Sequence, residues 1–252
     1  MIHSILIIGQ SNMAGRGFVS EVEPIENENE SIVVLRNGRW IPMYTPVNPD
    51  RRTAGVNLAE SFAQRYRDDK GVTVGVIPCA DGGTSLDQWA VGGLLFDHAC
   101  YMAELASRTS TIAAVLWHQG ESDAKPGNDS LYEEKVMKIF NALRGRLNLY
   151  DVPFIVGGLG DFLYNFFPVE RHESVGIVNN ALQNIAKEHE MIGFASAEGL
   201  GANPDNLHFS AAALREFGHR YYEEFLKLED KNKVFEEKPD ELGAIRDRIE
   251  YL

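Results

Sequence analysis

Residues 2–13 read Ile2-His3-Ser4-Ile5-Leu6-Ile7-Ile8-Gly9-Gln10-Ser11-Asn12-Met13. A short apolar run closed by glycine and followed by hydrogen-bonding side chains is the pattern of a buried strand that ends in a sharp turn. Four more runs of this kind follow, at Val72 to Pro78, Ile112 to Trp117, Pro153 to Gly157 and Met191 to Ser196. Between them lie helix-period stretches. Val56 to Tyr66 carries Leu58, Phe62 and Tyr66 four apart; the others are Leu131 to Leu147, Glu173 to Lys187, and Ala211 to Leu226 capped by Ser210. This alternation predicts an α/β fold with a central five-stranded parallel sheet covered by helices.

Residues 18–55 interrupt the alternation. An acidic stretch from Glu21 to Glu30 precedes Ile32 to Leu35, an Asn37-Gly38 turn signal and Trp40-Ile41. The expectation is a small hairpin insertion after the first strand, placed to line the substrate entrance. One domain is predicted over residues 1–228, because apolar positions are spread through that length without a linker. Residues 229–252 form a charged tail broken by Pro239. Such a tail is either a solvated terminus or an arm through which the chain pairs as a homo-oligomer.

Among the 252 residues the net charge is -13, with no clustered Lys and Arg, so neither nucleic acid nor an anionic membrane is an expected partner. The Ile5 to Ile8 run is too short to span a bilayer and lacks a basic flank or small-residue cleavage site, which predicts a cytoplasmic chain. Two cysteines, Cys79 and Cys100, suit free buried thiols better than a disulfide framework.

Ligands of open parallel sheets bind beyond the carboxyl ends of the strands, where loops converge and backbone N–H groups face the cleft. All five predicted exits are rich in glycine and polar side chains: Gly9-Gln10-Ser11-Asn12, Ala80-Asp81-Gly82-Gly83-Thr84-Ser85, His118-Gln119-Gly120-Glu121-Ser122-Asp123, Gly158-Leu159-Gly160-Asp161, and Asn203-Pro204-Asp205-Asn206-Leu207-His208. Structural loops show this once or twice; five together suggest a site. Acyl transfer needs a nucleophile, a base, a carboxylate to orient the base, and N–H donors for the oxyanion. Ser11 directly after a strand suits the first, and His208 the second. Asp205, three residues before His208, can reach back to its imidazole. Glu121 is an alternative acid, either for His208 or for holding the Gln119 loop. The order Ser, Asp, His, with serine at the start of the chain, differs from the mid-chain Gly-x-Ser-x-Gly elbow of α/β-hydrolases.

Gly9-Gln10-Ser11-Asn12-Met13-Ala14-Gly15, Gly82-Gly83-Thr84-Ser85, Trp117-His118-Gln119-Gly120-Glu121-Ser122 and Asp205-Asn206-Leu207-His208 resemble, in order, the four blocks of the sialate O-acetylesterase-like SGNH hydrolases. That group includes the carbohydrate esterase family 6 acetylxylan esterases. The resemblance covers residues 1–227. It implies a flavodoxin-like three-layer α/β/α fold and cofactor-free, metal-independent deacetylation of an acetylated mono- or oligosaccharide. It matches Ser11 to the nucleophile, His208 to the base and Asp205 to the acid. The Ser11 N–H, the Gly83 N–H and the Gln119 side-chain amide match the oxyanion donors; the wider superfamily carries asparagine in place of Gln119. An esterase or thioesterase for longer acyl chains, or a non-catalytic carbohydrate-binding protein, are the alternatives.

Arg16, Trp40 and Trp89 could contact a sugar ring by hydrogen bonding or stacking; equally, Trp89 could belong to the core. His118, Glu121 and Asp123 lack the spacing of a paired zinc motif, so no metal is expected.

Overall fold

The first strand, β1 (Ile2–Gly9), lies at the middle of the sheet, and Ile5, Leu6, Ile7 and Ile8 have no exposed surface. Burying each such side chain contributes about 1.5–3 kcal/mol, and burial on both faces requires helices above and below. In this computed structural model, which describes residues 1–230 together with Lys233, Phe235, Glu237 and Lys238, those helices are present. After β1 come α1 (Ser11–Ala14), β2 (Ile32–Arg36), β3 (Arg39–Pro42), α2 (Leu58–Lys70), β4 (Thr73–Pro78) and α3 (Leu94–Ala106). Then follow β5 (Thr111–His118), α4 (Tyr132–Leu147), β6 (Phe154–Gly157), α5 (Leu163–Phe166), α6 (His172–Glu188), β7 (Ile192–Ala195) and α7 (Ala211–Leu228).

The strand order is β3-β2-β4-β1-β5-β6-β7, parallel except for the antiparallel β2–β3 pair. Helices α2 and α7 pack on one another against one face, while α3, α4 and α6 cover the other. The chain therefore crosses to opposite sides of the sheet on either side of β1, and the exits of β4, β1 and β5 border the resulting crevice.

The sheet has seven strands rather than the expected five. The hairpin after β1 forms at the Asn37-Gly38 turn, where both residues have positive φ (48° and 75°), as the twist of a tight hairpin demands. It is not a free insertion, however. Ile32, Val33 and Val34 pair in parallel with Val74, Gly75 and Val76, so β2 and β3 extend the sheet edge. Trp40 consequently lies far from the strand exits: its ring packs where a Cβ on Gly75 would stand, 2.6 Å away, and its Nε1 donates to Thr109 just before β5.

Local caps explain two helix starts. The Asn57 side chain accepts from Ala59 N–H while Glu60 accepts from Asn57 N–H, a reciprocal cap on α2. Ser210 Oγ accepts from Ala213 N–H at the head of α7.

Beyond α7 the chain is tied to the amino-terminal edge of the sheet. Glu229 pairs with Lys70, Lys233 with Asp151, Phe235 stacks on His3 at 3.8 Å, and Lys238 Nζ donates to Ser107 O. Of the 229–252 tail expected either to be solvated or to pair copies of the chain, residues 231, 232, 234, 236 and 239–252 lie outside the described residues. Cys79 and Cys100 are free and buried, and burial pushes both thiols up. Among the described residues no helix is long and apolar enough to cross a membrane.

Candidate active site

At the end of β1 the chain passes so close to β5 that a side chain has no room. A Cβ on Gly9 (φ +134°) would fall 2.1 Å from His118 O, and Gln10 N–H donates to that same carbonyl. The chain turns there and presents Ser11 as the first residue of α1.

His208 reaches Ser11 from the loop between β7 and α7. Its Nε2 stands 3.0 Å from Ser11 Oγ, and its Nδ1 stands 2.7 Å from Asp205 Oδ2. The other oxygen, Oδ1, accepts from Leu207 N–H and His208 N–H at 2.9 and 3.0 Å. Burial pushes the Asp205 carboxyl up, but the His208 imidazole and the two N–H groups outweigh it and hold the group below the usual carboxylate range. An ionised, acceptor-only carboxylate fixes Nδ1 as the protonated nitrogen, leaving Nε2 free to accept a proton from Ser11.

Glu121, the alternative acid, is turned elsewhere. Its Oε1 accepts from Asn12 Nδ2 at 2.5 Å and lies 3.2 Å from His118 Nε2. The side chain is buried, which raises its pKa, yet His118 and Asn12 more than compensate and hold it below its ordinary value. The carboxylate in contact with His208 is that of Asp205.

The loop after β4 folds over Ser11: a Cβ on Gly82 would lie 3.4 Å from Ser11 Cβ, 2.9 Å from Asp50 Oδ2 and 2.5 Å from Arg16 Nη2. Asp50 accepts from Gly82 N–H at 2.8 Å and from both terminal nitrogens of Arg16, while Asn48 makes a two-way hydrogen bond with the backbone of Ala80. These contacts hold the turn in place, and the next residue, Gly83, has φ +77° and open space around its would-be Cβ. Neither Ser11 N–H nor Gly83 N–H donates to another group among the described residues.

Three expectations need correction on these contacts. Arg16 is buried and engaged with Asp50, so it braces the loop and is not a free sugar contact. Trp89, read as either a sugar contact or core, is core: its ring meets Trp117 edge-on and its Nε1 donates to Thr84 Oγ1. Trp40 lies at the opposite end of the sheet. Gln119 is also placed differently from the free donor the resemblance implies. Its Nε2 faces Asp123 Oδ2 at 2.6 Å, Thr84 O at 3.1 Å and Gln10 Oε1 at 3.3 Å, which occupies both of its hydrogens. It ties the β5 exit to the β4 loop.

Asn48 and Asp50 are residues that sequence reading did not single out, while Asn12 entered it only as a neighbour of Ser11 and Asp123 only as a metal-ligand candidate that was set aside. Asp123 accepts from Leu86 N–H, Gln119 and Asn128. The one signal for Asp50 is its place in the charged run Asp50-Arg51-Arg52 of a segment otherwise read as insertion. Among the described residues no group of three or more His, Cys, Asp or Glu side chains is arranged to hold a metal ion.

Beside the Asp81-Gly82 turn lies a cavity of about 430 Å³, lined by Asn48, Asp50, Arg51, Asp81, Leu95 and His98 among others.

The α/β fold is shared with a lipase/acylhydrolase from Enterococcus faecalis, which superposes with a TM-score of 0.53 at 15% identity, over 92% of this chain and all of that one. The chain belongs to the family described as carbohydrate esterase, sialic acid-specific acetylesterase, which matches residues 2–227, and it is thereby a carboxylic ester hydrolase. The probable carbohydrate esterase At4g34215 of Arabidopsis thaliana is 29% identical over 235 residues, covering 84% of this chain and 86% of the relative. Its crystal structure aligns with a TM-score of 0.79 at 26% identity, over 89% of this chain and 98% of that one. NanS aligns at 0.68 with 18% identity, covering 90% and 97% of the two chains.

Proposed function

We propose that the protein removes O-acetyl groups from acetylated mono- or oligosaccharides by an acyl-enzyme mechanism. Ser11 is the nucleophile, His208 the general base and Asp205 the acid that orients it. The observation that carries this reading is the continuous relay from Asp205 Oδ2 through His208 to Ser11 Oγ, at 2.7 and 3.0 Å.

Ser11 Oγ attacks the acetyl carbonyl carbon as its proton passes to His208 Nε2. The oxyanion is met by the unengaged N–H groups of Ser11 and Gly83. Collapse breaks the ester C–O bond, and the sugar oxygen leaves with the proton from Nε2. Water then attacks the acetyl-enzyme, giving its proton to His208. Collapse of that second intermediate returns the proton to Ser11 Oγ and frees acetate.

Acetate release from acetylated mono-, oligo- and polysaccharides, alongside butyrate and octanoate esters, tests the reading. Release that falls steeply beyond acetyl and drops by orders of magnitude in Ser11→Ala is expected. Undiminished turnover by Ser11→Ala overturns the mechanism; a preference for long acyl chains overturns the substrate class.

A further inference from the structure

We infer that Asn12, held in one orientation by the buried carboxylate of Glu121, is a positioning residue that sets the contact between Ser11 and His208; this rests on the reading of those two as nucleophile and base. Asn12 follows Ser11 directly, and its side chain is buried. Its Nδ2 donates to Leu207 O at 3.2 Å and its Oδ1 accepts from Phe209 N–H at 3.1 Å. Those are the residues on either side of His208. The His208 segment belongs to no strand or helix, and Asn206 within it has φ +52°. The imidazole is therefore located against Ser11 by whatever grips the backbone around it, and the residue beside the nucleophile does so on both flanks.

An asparagine amide can flip, and a flipped one would point NH₂ at Phe209 N–H, donor against donor. Glu121 forbids this. Its Oε1 takes the remaining hydrogen of Nδ2 at 2.5 Å, so a flip would set carbonyl oxygen against carboxylate. His118 Nε2, itself buried, lies 3.2 Å from that same oxygen and supplies a partner for a charge that is otherwise costly to bury. The relay at Ser11 makes no use of Glu121, and the orientation of Asn12 accounts for its presence beside it.

The test is kcat for an acetyl ester, expressed per Ser11 titrated with a fluorophosphonate, so that loss of folded protein does not register. Misplacing a reacting group by about 1 Å can cost 10²-fold. Asn12→Ala is expected to lower kcat per titrated site about 10- to 100-fold with KM changed less than about twofold. Glu121→Ala should do the same, and the double variant should be no worse than Asn12→Ala alone, because the two act in series. Glu121→Gln keeps an oxygen for Asn12 and should recover most of the loss. If Glu121→Ala does not fold, Asn12→Ala against Glu121→Gln decides. An unchanged kcat per site in Asn12→Ala, or losses that multiply in the double variant, overturns the inference while leaving the triad standing. A wild type with no titratable Ser11 removes the triad, and the inference falls with it.

Discussion

Arg16 and Asp50 meet in a two-point ion pair at 2.9 and 2.7 Å beneath the Gly82 turn, with side chains only 6% and 5% exposed. Asp50 adds a bond to Gly82 N–H, so a residue from the β3–α2 connection shapes the loop that covers Ser11. Removing one member of such a pair leaves an uncompensated buried charge. Asp50→Ala should therefore destabilise the fold by about 3–5 kcal/mol, measured by urea unfolding, and lower kcat for acetyl esters in the protein that remains folded. A loss below about 1 kcal/mol with full kcat would show that the pair does not brace the loop.

Gly82 and Gly83 should respond differently to alanine. At Gly83 a Cβ meets open space and only the positive φ resists it, so Gly83→Ala is expected to cost about 1–2 kcal/mol in stability. At Gly82 a Cβ would strike Arg16 and Asp50 and push the turn away from Ser11. Displacing an oxyanion donor costs about 10²–10³ in kcat, which is the loss expected for Gly82→Ala with acetyl esters. Equal kcat values for the two variants would contradict this.

Trp40 is a structural residue here. Trp40→Ala removes its packing against Gly75 and its bond to Thr109, and should cost about 2–4 kcal/mol of unfolding free energy. Below the melting transition, kcat/KM on acetylated sugars should stay within about twofold of wild type. A selective rise in KM would return Trp40 to the substrate path.

Stability should fall on the acid side because of His3. Burial, aided by the positive charge of Lys70, holds its imidazole down to about 4. The unfolded residue titrates near 6.5, so below roughly pH 6.5 the unfolded chain takes up a proton that the folded chain does not take until about pH 4. The contribution is neutral above that window and grows against the fold as pH drops through it, to on the order of 1–3 kcal/mol. Urea midpoints from pH 7.5 down to pH 4.5 check this: His3→Gln should flatten part of the decline, and an identical slope would rule His3 out.

The parallel core was legible because each of its five strands is a self-contained apolar run closed by a polar exit; Ile2 to Ile8 and Pro153 to Gly157 agree with the observed strands to within a residue. Helix α3 was not, since Gly93 offers no side-chain cap and its first residue, Leu94, is exposed. The edge pairing of β2 with β4 was equally hidden, because a hairpin has the same local pattern whether free or docked. At the site, the meeting of Ser11, Asp205 and His208 was legible mainly from the resemblance of the blocks that carry them, with the strand exits and the Asp205–His208 spacing in support. The roles of Arg16, Trp40 and Gln119, and the choice between core and sugar contact at Trp89, were not legible because burial and partners decide them. Arg16 is engaged by Asp50, 34 residues away. Gln119 is turned aside by Asp123 and Thr84. Such pairings exist only once the chain has folded.

The most direct measurement is peptide mapping by mass spectrometry after reaction with an acetyl-ester-mimicking phosphonate. A single adduct on Ser11, formed in step with loss of acetate release and absent from Ser11→Ala, is the predicted result. An adduct on another residue, or acetate release that survives full modification of Ser11, would contradict its role as nucleophile.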